Sequence, residues 1–325
     1  MKSHQLSGLD CDGTVISGAL LALSTRLDEM CAWAEAAVDG SDPKGVHKMR
    51  VASRRLRSAL RDFAPYLGKR RVSSGQKQLK EVARSLGRVR DDDVAIMTLE
   101  ETAAEAPADV ANGIRRLAHL RDVDRQAARE RLLPLISSES LADLKHKFKK
   151  MMDVASDSNG GRATAAKRKT EIVSTYRQVG SAIILARLDE LEKLSNNLYQ
   201  PLKVKPLHEM RIGVKHLRYA LQLFEQCWGT SVSIFAGKLA TLQTSLGELH
   251  DCDVWLQDLG KLANQGEAGV DFDQRRTVVW LLCHFMKLRG KQLNAALMQW
   301  QEWEAEGFGP DLRIRVAMTA SASQG

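Results

Sequence analysis

Three features of the 325-residue sequence predict an all-α fold. Apolar residues recur at three- and four-residue spacing through long segments rich in Ala, Leu, Arg, Glu and Lys, the period of an amphipathic helix. No segment of useful length alternates apolar and polar residues as a half-buried strand does. The seven prolines, Pro43, Pro65, Pro107, Pro134, Pro201, Pro206 and Pro310, fall mostly where those segments should start or stop, as expected of a residue that a helix interior rejects. Hydrophobic residues make up 44% of the chain, enough for a full core. There is no run of about eighteen apolar residues, so no membrane span is expected.

Taken in order, the expected helices cover 15–38, 44–66, 70–104 and 108–136, then 166–198, 203–227, 231–263 and 271–305. A polar connector over 139–165, containing Ser156-Asp157-Ser158-Asn159-Gly160-Gly161, divides the two groups, since such residues favour turns and loops. The tail 306–325, ending Ser321-Ala322-Ser323-Gln324-Gly325, reads as loose. Met1-Lys2-Ser3-His4-Gln5 leads into no apolar segment with a cleavage site, so no signal peptide is expected. Five cysteines, Cys11, Cys31, Cys227, Cys252 and Cys283, are odd in number and form no C-x-x-C pair. That fits reduced thiols in a cytoplasmic protein.

The two groups of helices resemble each other. At an offset of 161, Arg26-Leu27-Asp28-Glu29 matches Arg187-Leu188-Asp189-Glu190, and Val46-His47-Lys48-Met49-Arg50 matches Leu207-His208-Glu209-Met210-Arg211. At an offset of 160, Ser85-Leu86-Gly87 matches Ser245-Leu246-Gly247, and Asp91, Asp93 and Val94 match Asp251, Asp253 and Val254. One near-constant offset across four helices points to a tandem duplication. It predicts two four-helix repeats, 15–138 and 166–305, related by a pseudo-two-fold axis.

The formal net charge is +8, with a sequence pI of about 9.3, which favours anionic partners. The basic charge is concentrated: Lys44 to Arg90 holds fifteen lysines and arginines against two acids, Asp62 and Glu81. On a helical wheel His47, Arg50, Arg54, Arg57 and Arg61 share an arc of roughly 80°, with Met49, Leu56, Ala59, Leu60, Phe63 and Leu67 opposite. In the second copy His208, Arg211, Lys215 and Arg218 repeat the stripe, with Gln222 at the place of Arg61. Like charges at i,i+3 and i,i+4 repel by a few tenths of a kcal/mol per pair, so an external anion is the economical reason for the stripe. Arginine forks suit phosphate oxygens, and both histidines follow a proline near a helix start, where the dipole also favours an anion. Lys80, Arg84 and Arg88 lie on one face of the third helix, and Arg115/Arg116 with Arg275/Arg276 extend the basic set.

At His47-Lys48-Met49-Arg50…Arg54-Arg55-Leu56-Arg57 and His208-Glu209-Met210-Arg211…Lys215-His216-Leu217-Arg218-Tyr219 the sequence resembles the CHAD family, the conserved-histidine α-helical domain. So do Ser85-Leu86-Gly87…Arg90-Asp91-Asp92-Asp93-Val94 and Ser245-Leu246-Gly247-Glu248-Leu249-His250-Asp251-Cys252-Asp253-Val254. The resemblance covers about residues 15 to 305. It implies two four-helix bundles with a basic groove that binds inorganic polyphosphate, with polyphosphate granules as one place for such a protein. The family's histidine and basic positions map onto His47, Arg50, Arg54, Arg57, His208, Arg211, Lys215 and Arg218. Some relatives carry an N-terminal triphosphate-tunnel domain, which this sequence is expected to lack. The long 137–165 connector and Gln222 depart from the pattern, and Gln222 implies a firmer grip by the first copy.

Other readings fare less well. The Asp91/Asp93 and Asp251/Asp253 pairs point to different sides of a helix, no Glu-x-x-His ligand pattern occurs, and arginines around the histidines repel cations. Capping or salt bridges explain the aspartates better than a metal, and no cofactor is expected. Asp10-Cys11-Asp12-Gly13-Thr14 imitates the nucleophile loop of haloacid-dehalogenase phosphatases, but no buried strand precedes it. With no Walker-type loop and no recognisable triad, no enzyme is expected. Nucleic acid is the serious rival, through its phosphates. Single-strand binders interleave aromatics with basic residues, yet aromatics are only 5% here and Tyr219 alone borders a stripe. A scaffold for an acidic protein partner is the third reading. Oligomeric state is left open, and a monomer is sufficient.

Overall fold

The computed structural model describes residues 6–160, 174–264 and 272–321, with side chains described throughout these ranges except at 69–74, 154–160, 272–274 and 318–321. The chain is all-α. Among the described residues no strand forms, and the one β-type contact is an isolated bridge between Thr14 and Thr175. The first expected helix is broken at Ala32-Trp33 into α1 (Val15–Cys31) and α2 (Ala34–Asp39). The next three are α3 (Lys44–Leu67), α4 (Lys69–Glu105) and α5 (Ala108–Leu132), the last running into a 3₁₀ turn over Leu133–Ile136. Pro65 lies inside α3 instead of ending it.

Two expectations fail for the same physical reason. The connector expected over 139–165 is mostly helix α6 (Ser138–Gly160). Leu141, Leu144, Phe148 and Met151, spaced as one helical face, are all buried, and Ser137 Oγ caps the start by accepting from Ser140 N at 3.2 Å. Residues 161–165 of that connector, and the start of the following expected helix up to residue 173, lie outside the described residues. The expected loose tail forms α11 (Phe308–Ser321), with Phe308, Leu312 and Val316 buried at four-residue spacing; its end at 322–325 lies outside the described residues. In both segments polar composition hid a sparse apolar stripe, and a few buried side chains at about 1.5–3 kcal/mol each suffice to hold a helix.

The remaining helices are α7 (Tyr176–Leu194) with a 3₁₀ turn over Ser195–Tyr199, α8 (Val204–Trp228), α9 (Thr230–Ala263) and α10 (Phe272–Glu306). The helix expected from residue 271 thus begins at Phe272, residue 271 lying outside the described residues.

The chain divides into two compact units. One comprises 1–97 and 119–180, the other 98–118 and 181–325. In the first unit α1 and α2 pack on α3, and α6 packs on α1. Met49, Leu56, Leu60 and Phe63 of α3 are at most 1% exposed. Their burial outweighs the few tenths of a kcal/mol lost to each like-charge pair on the opposite face. The nucleophile-like loop is a bracket: Asp12 accepts from Arg177 Nε at 2.8 Å, Arg177 N donates to Cys11 O, and Tyr176 N donates to Gly13 O.

In the second unit α9 packs on α8, α10 and α11. The α4–α5 hairpin tip, residues 98–118, belongs here. Its Leu99, Ala103, Val110, Ala111, Ile114 and Ala118 share a core with Cys252, Leu259, Val278, Leu281 and Phe285. Gly113 permits this approach, because a Cβ there would overlap the buried Thr277. All five cysteines are free thiols.

Candidate functional site

In the first unit the stripe lies along α3. His47, Arg50, Arg54 and Arg61 are half-buried and Arg57 is exposed. Acids of the protein itself reach this stripe. Arg50 reaches Asp91 of α4, 3.1 Å away, and Arg61 donates to Asp62 at 3.4 Å and to Ser58 Oγ at 2.9 Å. Among the described residues no ion pair holds Arg54 or Arg57, nor Lys80, Arg84 or Arg88, which are exposed at four-residue spacing on α4. Arg50 crosses α4 at Gly87, where a Cβ would sit 3.9 Å from its Nε.

The dipole at the start of α3 is less available than expected. Lys44 N donates to Asp42 Oδ1 at 2.8 Å, Gly45 N to Asp42 O, and His47 N to Pro43 O. His47 Nδ1 is buried with no hydrogen-bond partner among the described residues. Burial, then Arg90, Arg50, Lys48 and Arg54, holds its imidazole below the ordinary range near 6.5.

In the second unit α8 presents His208, Arg211 and Arg218 half-buried and Lys215 buried. Arg211 crosses α9 at Gly247, 4.0 Å from a Cβ there, as Arg50 crosses Gly87. Arg218 donates to Gln243 Oε1 at 3.1 Å. His208 Nδ1 meets Nδ1 of His250 at 3.2 Å, with the rings 4.4 Å apart. Burial, then Arg211 and Lys215, lowers the His208 pKa.

The family model of the CHAD domain matches residues 21–259. The chain belongs to the CHAD domain family. Its fold is similar to the crystal structure of the CHAD domain from the plant Ricinus communis, with a TM-score of 0.69 and 23% identity over 92% of this chain and 95% of that one. It is also similar to PptA from Streptomyces chartreusis, with a TM-score of 0.61 and 14% identity over 89% of this chain and all of that one. No curated protein matches the sequence.

Within this CHAD domain the other basic residues singled out in the sequence belong to the second unit. Arg115 and Arg116 are exposed on the hairpin tip that belongs to the second unit. There Arg276 of α10 pairs with Asp109 of α5 at 2.5 Å, and Arg275 is exposed. The aspartate pairs sit within unbroken helices, not at helix breaks, and bind arginines: Asp93 pairs with Arg125 at 3.5 Å and Asp253 with Arg289 at 2.6 Å. Among the described residues no group of three or more potential ligands could hold a metal, and no helix is long and apolar enough to cross a membrane.

Two residues beside the histidines were missed in the sequence, Arg90 and His250. Each stands immediately before the first aspartate of its motif. That alignment was the available signal.

Chemically, each stripe offers forked N–H donors in a half-desolvated setting, where charge-assisted hydrogen bonds to oxyanions are strong.

Proposed function

We propose that this CHAD domain is a non-catalytic binder of inorganic polyphosphate, held by the two His/Arg/Lys stripes. The reading includes the tandem duplication, the pseudo-two-fold relation and the basic groove that the sequence predicts, and a cytoplasmic setting. The observation that carries it is the state of Arg54 and Arg57, half-buried and exposed along one helix face with no ion pair among the described residues. A linear phosphate chain supplies evenly spaced charge for such a row without asking for contacts to bases. The non-catalytic part is supported by the lack, among the described residues, of an activated nucleophile near the stripes. The buried Cys252 thiol, two residues from His250, is pushed up to about 12 by burial and by the flanking carboxylates, so it stays protonated.

The test is calorimetric titration with long-chain polyphosphate, single-stranded RNA and duplex DNA at about 150 mM salt, where weak surface attraction is screened. Tight binding of polyphosphate and weak binding of nucleic acid is the expected result. Comparable affinity for RNA or DNA would instead mark a general polyanion surface, and binding of none would leave an acidic protein partner.

A further inference from the structure

We propose that His250 is a further anion-site residue and that, with His208, it makes binding in the second unit take up a proton, a step that Arg90 replaces with a fixed charge in the first. This rests on the polyphosphate reading above.

The contact between two Nδ1 atoms at 3.2 Å requires one ring to donate and the other to accept. With both rings protonated the contact has two donors and no acceptor, so the pair holds at most one extra proton. The charged groups around it favour the neutral state. Arg211 and Lys215 of α8 act on both rings, while Glu209 on the same helix partly opposes them at His208. On α9 the neighbour is the other histidine, and Arg289 of α10 is held by Asp253. Burial comes first among the causes and brings His250 down to about 4. The empty pair is therefore neutral near pH 7.

An oxyanion arriving at Arg211 reverses that balance. An opposite charge within roughly 4–6 Å favours the charged form, which for a histidine raises the pKa by about one to three units. The pair then gains a proton, and the new imidazolium donates to the ligand. Arg90 takes the corresponding place in the first unit and is the foremost charge acting on His47. Its guanidinium is charged at every working pH, so that position contributes no proton step.

Calorimetry of the full chain with long-chain polyphosphate at pH 7, in two buffers of different ionisation enthalpy, counts the protons taken up. The wild type is expected to take up a fraction of a proton, and His250→Arg less, with a correspondingly flatter affinity–pH profile, since each full proton gained is worth up to about tenfold in affinity per pH unit. Arg90→His is expected to raise the count. The same polymer is used throughout, so its own titration cancels between variants. His250→Gln serves as a second variant if the arginine does not fold. Unchanged uptake in His250→Arg or His250→Gln would overturn the proposal while leaving polyphosphate binding intact. Absence of binding in all variants and buffers would instead overturn the reading on which it rests.

Discussion

Replacing Asp91 by asparagine should tighten polyphosphate binding about threefold. The Asp91 side chain is 68% exposed and lies 3.1 Å from Arg50, so it is a competitor for that guanidinium on an otherwise cationic face. A phosphate settling on Arg50 would lie on the order of 6 Å from the carboxylate, where repulsion at a water-like dielectric is about 0.7 kcal/mol. Removing it multiplies affinity by about three. The pair itself, being solvent-exposed, contributes at most about 1 kcal/mol to stability, so the melting temperature should move by only a few degrees. Competition titration with a labelled polyphosphate at two salt concentrations measures the change, with Glu139→Gln, an exposed acid at the start of α6, as a control expected to do nothing. Unchanged or weaker binding by Asp91→Asn would show that Arg50 does not meet the ligand.

Three further outcomes are expected. Arg54→Ala with Arg57→Ala should weaken polyphosphate binding and reduce its logarithmic salt slope by about 0.7 for each lost phosphate contact, with an unaltered circular dichroism spectrum; an unchanged slope would remove these residues from the site. Gly40→Ala should destabilise the first unit by about 1–3 kcal/mol in a denaturant melt. Gly40 has φ +67°, and a Cβ would overlap the Arg129 guanidinium that donates to the Ala37 and Val38 carbonyls at the end of α2. Acid should destabilise the unliganded protein through its histidines. Their folded pKa values are lowered, so the unfolded chain binds protons more readily. Stability then falls as pH drops below about 6.5 toward the value near 4 at His250. Polyphosphate should offset the loss, and His250→Gln should flatten it; an equal pH slope in that variant would show that the half-buried histidine pair is not the cause.

How far the sequence reaches is clearest at α3 and α8. Their apolar and cationic faces follow from helical period alone, because spacing fixes which side chains share a face whatever the helix packs against. The histidine and arginine stripes were therefore legible from residue order, as was the all-α class. So was the family, whose motif residues lie close together in the chain. Only the tertiary structure decided which charges are already engaged. Asp91 is 41 residues from Arg50 and His250 is 42 from His208, and no local pattern reports a partner brought in by a neighbouring helix. The same holds for the α4–α5 tip. Its apolar residues call for burial, but the sequence does not say against which helices, and the structure places them with α9 and α10. Helical spacing determines what each element offers; packing determines which offers are taken within the molecule and which are left for a ligand.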